Sequence, residues 1–455
     1  MITPGIFKAN DIRGATEGRD PAWDAEGAYA IGAALVDVLE LTDAENALVV
    51  GRDMRLSSPQ LSAAFIRGVT SRGADVTDIG LASTDELWFA SGSLNLPGAM
   101  FTASHNPGTD NGIKFCLAGA KPIAPQQLTA IKDRVLGSAE PAGPAPVCAG
   151  TVTERDLLPA YASYLHSLVD LSEIRRLLVV ADAGNGMAGH TLPAVFDKIN
   201  VELIGLYTDP DGTFPNHAPN PLEPQNLLDA QQAVRDYRAD LALVFDGDAD
   251  RCFLIDERGE VVNPSAITAM IASAELRREP GATIVCNKIT SRTVAEVVQE
   301  AGGRTVITRV GHTFVKAAMA QHGAIFGGEH SAHYYFRDFW GADTGMLAAL
   351  HVLATAGGTE QPLSELVARF SRYVASGEIN TAVADQQQVM RRVAQALDGR
   401  GEQDWVDGLT VNGPDWWVNV RPSNTEPLLR LNVEAKTTEQ MAALRDETLG
   451  LIRSS

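Results

Sequence analysis

The chain has few cysteines, no long apolar run and a deficit of positive charge, and each scarcity excludes a class of protein. Four cysteines occur in 455 residues and none form a CxxC pair, so neither a zinc site nor a disulfide framework is predicted. They are expected to be reduced and buried. Thirty-seven Lys and Arg stand against 57 Asp and Glu, and the net charge of −20 disfavours a nucleic-acid or anionic-membrane partner.

No apolar run reaches the length of about 18 residues that a membrane span requires. The N-terminal MITPGIFKANDIRG lacks the charged, then apolar pattern of a secretory signal, so a cytoplasmic location is expected. A chain of this length exceeds one hydrophobic core, which predicts about three to four domains. We expect a monomer or a dimer.

Short apolar runs rich in β-branched residues recur along the chain, separated by segments with helical periodicity. Strands are predicted at ALVVGRD (47–53), LLVVADAGNG (177–186), DLALVFDGDADR (240–251) and ATIVCNK (282–288). Helices are predicted at SSPQLSAAFIRGVTSRG and SRTVAEVVQEAGG. This alternation indicates an α/β fold with mixed or parallel sheets. After about residue 375, a helix and then strands enclosing a loop predict a smaller α+β domain.

The segment VFDGDADRC places Asp246, Asp248 and Asp250 at alternate positions just past an apolar strand. Three carboxylates so close repel one another, and a hard divalent cation with oxygen ligands would resolve that repulsion. A solvated acidic turn is the alternative, since Asp and Gly are common in turns. Magnesium fits best, because it binds a few carboxylates and completes its shell with phosphate or water. A phosphate-bearing ligand is therefore implied.

The segment RPSNTEPLLR offers two guanidiniums and several neutral donors around a tight loop between strands: Arg421, Ser423, Asn424, Thr425 and Arg430. This combination suits a phosphate dianion. PSNTEP is also good turn chemistry, so a plain turn is the alternative.

The segment GGEHSAHYYFRD places Glu329, Ser331 and His333 at alternate positions, so an extended segment would turn all three to one side. Such a row of hydrogen-bonding side chains is suited to binding the hydroxyl groups of a sugar. Lys288 in VCNKITSR and His312 in TRVGHTFVK could supply local positive charge, although most exposed basic residues are plain surface.

The segment FTASHNPGTDNGIKF places Ser104 beside His105. A hydrolase would carry the G-x-S-x-G elbow, which is absent here. Adjacent side chains of an extended segment point in opposite directions, so His105 is expected to be badly placed to deprotonate Ser104. A magnesium site, a phosphate loop and a sugar-like row instead suggest a serine that carries a phosphoryl group.

Four motifs resemble the α-D-phosphohexomutases in the family's chain order, over essentially the whole chain. TASHNP resembles the phosphoserine loop, DGDADR the metal loop, GEHSAH the sugar-binding loop and RPSNTEP the phosphate-binding loop. The resemblance implies three similar α/β domains with mixed sheets and a smaller α+β C-terminal domain around a central cleft. The domains would be a phosphoserine-loop domain (1–150), a metal-binding domain (151–257), a sugar-binding domain (258–370) and a phosphate-binding domain (371–455).

The resemblance also implies roles for individual residues. Ser104 would be phosphorylated and would bind Mg²⁺ together with the three aspartates, while Glu329 and Ser331 would contact sugar hydroxyls. The phosphate that is not reacting would be held by the residues already named in the RPSNTEPLLR segment. Residues matching the family's reacting centre are Arg13, Lys114 and His333, and further candidates for substrate binding are Arg251, Lys288 and His312.

The resemblance favours the phosphomannomutase/phosphoglucomutase branch over the phosphoglucosamine branch. It implies an isomerase that interconverts mannose 6-phosphate and mannose 1-phosphate through phosphoserine and a hexose 1,6-bisphosphate, which also serves as activator. Glucose phosphates would be further substrates. The alternatives are a phosphoglucosamine mutase, a metal-dependent sugar phosphatase and a non-catalytic sugar-phosphate binding protein. Two departures from the family pattern, Ala332 and Asn10, concern the choice of sugar more than the chemistry.

Overall fold

The apolar run at residues 47–52 forms an inner strand of a mixed sheet in the computed structural model, which describes residues 2–41, 47–137, 148–423 and 428–454. The elements are β1 (Ile12–Ala15), α1 (Ala25–Leu39), β2 (Ala47–Arg52), α2 (Ser58–Ser71), β3 (Asp75–Leu81), α3 (Thr84–Leu94), β4 (Gly98–Phe101), β5 (Asp110–Leu117), β6 (Lys121–Pro122), α4 (Pro125–Val135) and β7 (Val152–Glu154). The strand order is β1-β5-β4-β2-β3-β7, with β6 beside β5. β2, β3, β4 and β7 pair in parallel, and β5 is antiparallel to its neighbours.

A second mixed sheet has the order β12-β11-β10-β8-β9, and its elements are α5 (Leu158–Leu168), β8 (Leu177–Asp182), α6 (Ala188–Phe196), β9 (Val201–Leu206), α7 (Leu228–Tyr237), β10 (Leu241–Phe245), β11 (Cys252–Asp256) and β12 (Val261–Val262). All five residues of β10 are buried, which its continuous apolar sequence predicts for a central strand. The acidic segment leaves the carboxyl end of this strand, where α/β sheets usually place ligands.

The chain then forms a third group of strands and helices: α8 (Pro264–Arg278), β13 (Thr283–Asn287), α9 (Arg292–Glu300), β14 (Arg304–Thr308), α10 (His312–His322), β15 (Phe326–Gly328), β16 (Tyr334–Phe336), β17 (Ala342–Asp343) and α11 (Gly345–Gly357). β13 pairs in parallel with β14 and with β15, whereas β16 and β17 are antiparallel. This group is therefore mixed as well.

The C-terminal elements form an antiparallel sheet with helices: α12 (Leu363–Ala368), β18 (Val374–Ala375), β19 (Ile379–Ala382), α13 (Gln386–Ala396), β20 (Glu402–Asp404), β21 (Leu409–Asn412), β22 (Trp416–Pro422), β23 (Leu428–Ala435) and α14 (Thr438–Arg453). β22 and β23 flank the predicted phosphate loop, and the helix predicted before them is α13. The core of this sheet is apolar and includes Leu409, Val418, Leu431 and Val433.

The chain divides into two compact units that do not follow the chain order. The first unit comprises Met1–Val262 and Ser331–Ser364, and the second comprises Asn263–His330 and Glu365–Ser455. The four domain boundaries expected from the sequence stay a prediction. Within the described residues, none of the helices combines the length and apolar character needed to cross a membrane.

The predicted strands and helices are present at all six quoted segments. No disulfide joins the four cysteines among the described residues, and three of them are buried as predicted. Cys148 is exposed, so the prediction of burial is wrong for this residue. It follows the proline-rich sequence SAEPAGPAPV (138–147), and connecting segments of such composition usually run over the surface.

Candidate active site

The acidic loop after β10 converges on one point of the first unit. Asp246, Asp248 and Asp250 are buried, and one carboxylate oxygen from each lies within 4.8 Å of the others. The neighbouring Gly247 allows this loop to approach the backbone of Ser104, because a Cβ at position 247 would lie 2.5 Å from the carbonyl oxygen of Ser104. The predicted metal loop and phosphoserine loop are therefore in direct contact.

The charges of the three aspartates require compensation. Burial, followed by the charges of Asp250 and Asp248, raises the pKa of Asp246 well above its usual value. Burial also disfavours the ionised form of Asp248, but the Lys114 ammonium outweighs it and holds the pKa of this carboxyl below its usual range. Oδ1 of Asp248 and Oδ1 of Asp250 are buried without a hydrogen-bond partner among the described residues. Such oxygens are suitable ligands for a hard divalent cation, so the site fits a metal.

Lys114 lies against the acidic loop. Its Nζ donates to Oδ2 of Asp248 at 2.7 Å and also contacts Oδ2 of Asp250. Burial opposes the charge of the ammonium, but the two carboxylates raise the pKa of Lys114 above its usual value. Lys114 therefore keeps its proton at neutral pH and is suited to stabilising negative charge.

Ser104 lies in a turn, and the prediction of an extended segment is wrong. Its φ angle is 52°, in the left-handed region, and its Oγ donates to Oδ2 of Asp246 at 2.8 Å. The turn brings Nδ1 of His105 to 3.2 Å from Ser104 Oγ. The two side chains therefore approach each other, because the opposite directions expected of them hold only for β geometry.

The surroundings of His105 nevertheless disfavour a serine–histidine pair of the hydrolase type. Nη2 of Arg251 donates to Nδ1 of His105 at 3.0 Å. Burial, followed by the charges of Arg251 and Arg13, lowers the pKa of His105 well below its usual value. The nitrogen nearest Ser104 is thus already accepting a hydrogen bond from a guanidinium, while Ser104 donates its own proton to Asp246.

Arg251 links His333 to the acidic loop. Its Nε donates to Nε2 of His333 at 3.1 Å, and the other ring nitrogen of His333 lies 2.9 Å from Oγ of Ser331. Because Nε2 accepts, the neutral imidazole carries its proton on Nδ1 and donates it to Ser331. His333 also lies 3.7 Å from Oδ1 of Asp250. Arg251, Ser331 and His333, all predicted from the sequence as site residues, therefore form a connected set of contacts beside the acidic loop.

The segment 329–333 is not extended, although the alternate positions of Glu329, Ser331 and His333 predicted an extended segment. His330 and Ser331 lie in a turn, and Ala332 has a φ of 61°. The physical reason is that β15 ends at Gly328 and the chain must turn before β16 begins at Tyr334. The departure noted at Ala332 falls at the left-handed position, which glycine would adopt without strain.

Arg13 and Thr84 contact the residues around Ser104 and the acidic loop in different ways. Arg13 donates from Nε to Asp11 at 2.8 Å, and its Nη1 lies 3.5 Å from the carbonyl oxygen of Ala103. Thr84, which the sequence analysis missed, begins α3 and donates from Oγ1 to Oδ2 of Asp248 at 2.5 Å. Its backbone N–H donates to the Asp248 carbonyl at 3.0 Å. Arg13 thus adds positive charge beside Ser104, and Thr84 holds the acidic loop.

Arg55 was also missed, and it organises the phosphoserine loop. Its side chain is fully buried and its guanidinium donates to four backbone carbonyls of the loop. The carbonyls belong to Ser104 (2.7 Å), Asn106 (2.8 Å), Pro107 (2.6 Å) and Asp110 (2.9 Å). Nε donates to Asp53 at 3.0 Å. The signal available in the sequence was the three charged residues of GRDMR after a buried strand, a pattern that resembles an ordinary surface turn.

Arg55→Lys is expected to lower turnover by about 100-fold, since small misplacements of reacting groups cost that much. A lysine has three donors and cannot span four carbonyls. Hydrogen exchange should accelerate at the amides of residues 104–110. Arg67→Lys on the exposed face of α2 is the matched control and should change neither measurement. Normal turnover with unchanged exchange in Arg55→Lys would contradict the positioning role.

The second unit contains the remaining candidates for sugar binding. Glu329 accepts from Nδ2 of Asn287 at 2.8 Å and from the backbone N–H of Gly311 at 3.3 Å. Lys288 forms an ion pair with Asp404. His312 is the first residue of α10. The neighbours of Glu329 fix its carboxylate at the carboxyl end of β15, whereas the charge of Lys288 is compensated by Asp404.

The predicted phosphate-binding residues lie at the facing ends of β22 and β23. Arg421 and Arg430 are register partners on these antiparallel strands, and the backbone N–H of Ser423 donates to the carbonyl of Leu428 at 2.9 Å. Asn424 and Thr425 lie outside the described residues. The structure therefore brings the two guanidiniums of this loop together.

Comparison with known proteins agrees with this arrangement. The family models for phosphoglucomutase/phosphomannomutase alpha/beta/alpha domains I, II and III match residues 4–141, 159–259 and 263–373, and the model for the C-terminal domain matches residues 378–451. A phosphomannomutase of Escherichia coli is 39% identical over 98% of this chain and 99% of its own length. A protein of Xanthomonas campestris pv. campestris named phosphohexose mutases is 37% identical over 98% of this chain and 99% of its own.

A solved structure shows the same architecture. It is a phosphoglucomutase/phosphomannomutase family protein from Burkholderia thailandensis, 31% identical, with a TM-score of 0.90 over 100% of this chain and 98% of that one. The predicted fold class is thereby confirmed, as three α/β domains with mixed sheets and a smaller C-terminal domain. These matches span the whole chain, and the protein is therefore a member of the phosphoglucomutase/phosphomannomutase family, the α-D-phosphohexomutases that its four motifs resemble.

Proposed function

We propose that this protein is a phosphomannomutase that interconverts mannose 6-phosphate and mannose 1-phosphate. The observation that carries the proposal is the hydrogen bond of 2.8 Å between Ser104 Oγ and Asp246 in a buried acidic loop with two unpartnered carboxylate oxygens among the described residues. The names of relatives from Escherichia coli and Xanthomonas campestris support the substrate class, a hexose phosphate.

In the proposed reaction, phospho-Ser104 gives its phosphoryl group to a free hydroxyl of the bound hexose phosphate. The bond between phosphorus and Ser104 Oγ breaks, a bond between phosphorus and the sugar oxygen forms, and the proton of the sugar hydroxyl passes through groups of the site to Ser104 Oγ. The bound hexose 1,6-bisphosphate then reverses, and its other phosphate returns to Ser104. The net result is transfer between C1 and C6 without hydrolysis.

The residues of the first unit would stabilise the transferring group. Lys114 retains its proton beside Asp248, and Arg251 lies 3.5 Å from Asp246, so both supply positive charge where the phosphoryl oxygens develop negative charge. Arg13 adds a third cation beside Ala103. His333 accepts from Arg251 and donates to Ser331, so its Nε2 would take the proton of the sugar hydroxyl only when Arg251 turns from the imidazole to the phosphoryl group.

We propose Mg²⁺ as the cofactor, held by Asp246, Asp248, Asp250 and an oxygen of Ser104 or its phosphate. When bound, the ion would neutralise charge on the transferring phosphoryl group. The choice of Mg²⁺ is supported by the oxygen-only ligand set and its small number of carboxylates.

Glu329 and Ser331 are proposed as contacts to sugar hydroxyls. Arg421, Ser423 and Arg430, with Asn424 and Thr425, would bind the phosphate that is not reacting. Lys288 and His312 would add further contacts to the substrate. Glucose phosphates are proposed as additional substrates, and phosphoglucosamine is the remaining alternative sugar.

The test is a panel of mannose, glucose and glucosamine phosphates, each assayed with a hexose 1,6-bisphosphate activator and with detection of inorganic phosphate. The proposal predicts the highest kcat/KM for mannose phosphates and almost no inorganic phosphate. A preference for glucosamine phosphates would identify a phosphoglucosamine mutase. Phosphate release in proportion to substrate consumed would identify a phosphatase.

A further inference from the structure

Glu378 joins the two arginines of the predicted phosphate site. Arg421 and Arg430 face each other on β22 and β23, and like charges directly opposite on antiparallel strands are destabilising. Glu378 lies immediately before β19, which pairs with β23. Its Oε2 accepts from Nη2 of Arg421 at 2.5 Å, and its Oε1 accepts from Nη1 of Arg430 at 2.9 Å. The two guanidiniums therefore share one carboxylate, and one positive charge of the pair is left over.

Among the described residues, this arrangement does not use every donor of the two arginines. Nε of Arg421 and Nε of Arg430 are buried and have no hydrogen-bond partner within the part of the chain that the structure describes. A carboxylate offers two oxygens, whereas a phosphate monoester offers three and a second negative charge. A phosphate therefore offers this pair of arginines more hydrogen-bond acceptors and more negative charge than Glu378 does.

We propose that Glu378 is an internal anion that competes with the substrate phosphate for Arg421 and Arg430 and so sets the affinity of this site. The inference rests on the proposed function, because it assigns the competing ligand to the phosphate that is not being transferred. Glu378 holds the arginines together when no phosphate is bound and gives up at least one of them when phosphate binds. Only an anion with more charge than a carboxylate displaces it, which makes the site selective for phosphate dianions.

The competition has a consequence for the reaction. Each turnover requires both phosphates of the bisphosphate to occupy this site in succession, so a phosphate held too tightly would slow the reversal. Glu378 offers an alternative partner to the arginines at the moment of release. Glu378 thereby weakens phosphate binding and speeds phosphate release. Its removal should tighten phosphate binding and slow the catalytic cycle.

Glu378→Gln tests the proposal, because glutamine keeps the length of the side chain and loses its charge. Titration calorimetry with inorganic phosphate on the full-length protein should show binding about tenfold tighter than in the wild type, the effect of one charge-assisted hydrogen bond. The KM for mannose 1-phosphate and kcat should both fall. Arg421→Lys should weaken the same calorimetric signal, which identifies it with this site.

Glu447→Gln is the matched control, since Glu447 pairs with Arg400 at 2.7 Å in the same domain and is partly exposed. It should change neither phosphate affinity nor kinetics. Glu378→Asp is a second variant for the case in which the glutamine variant does not fold. Aspartate keeps the charge but is too short to reach both arginines, and it too should bind phosphate more tightly.

Phosphate affinity that is unchanged or weaker in a folded Glu378 variant would overturn the proposal. Glu378 would then only stabilise the fold through its ion pairs with the two arginines. Loss of the proposed function has a different signature. A wild-type protein without mutase turnover would contradict the mannose phosphate assignment. The calorimetric comparison of phosphate binding would still test the role of Glu378 independently.

Discussion

Replacing Ser104 with alanine is expected to reduce mutase turnover by at least about 1,000-fold, since the account assigns every phosphoryl transfer to Ser104 Oγ. The variant should still fold. It loses the hydrogen bond of 2.8 Å to Asp246, which contributes about 1 kcal/mol to the free energy of unfolding. A coupled assay for mannose 1-phosphate and a thermal unfolding curve measure the two effects.

The matched control is Ser93→Ala. Ser93 lies on the exposed side of α3, and its hydroxyl donates a long hydrogen bond of 3.4 Å to the carbonyl oxygen of Ala90 in the same helix. Its replacement should leave turnover unchanged. Near-normal turnover in Ser104→Ala would show that the serine is not the phosphoryl carrier.

Removal of divalent metal is expected to lower turnover by about 1,000-fold, because a bound cation supplies several kcal/mol of charge stabilisation and about 1.4 kcal/mol is a factor of ten. Exhaustive chelation should produce this loss, and added Mg²⁺ should restore the activity. Mg²⁺ should also raise the melting temperature of the wild type, because a ligand that binds only the folded state stabilises it.

Asp248→Asn provides a readout of the site itself. The variant keeps the shape of the side chain and loses the charge that faces Lys114, so Mg²⁺ should no longer raise its melting temperature. Asp236→Asn, on the exposed surface of α7, is the matched control and should respond to Mg²⁺ as the wild type does. Full activity after chelation, or an unchanged response of Asp248→Asn, would contradict the metal assignment.

The sequence was sufficient for features that depend on local pattern. The continuous apolar run of β10 predicts a buried strand, and the three aspartates that follow it are close in the chain, so their convergence needs little tertiary information. The antiparallel pair β22 and β23 follows similarly from two apolar runs around a loop. The family membership rested on four short motifs and is confirmed by matches over the whole chain.

Features that depend on contacts distant in the chain were not predictable. Arg55 meets the carbonyl of Ser104 49 positions later, and Glu378 meets Arg421 and Arg430 at separations of 43 and 52. Nothing in the local pattern of GRDMR or SGEIN specifies those partners. The errors at Ser104 and Ala332 have a different cause, because both residues adopt left-handed backbone geometry that is uncommon for residues with a Cβ.

The most direct test of the account is to locate the transferred phosphoryl group. The full-length protein would be incubated with a hexose 1,6-bisphosphate and mapped by tandem mass spectrometry, then exposed to mannose 6-phosphate. We expect one phosphoryl group, on Ser104, which passes to the sugar without appearing as inorganic phosphate. Turnover with Ser104 unmodified, with the phosphoryl group on another residue, or with its loss as inorganic phosphate would contradict it.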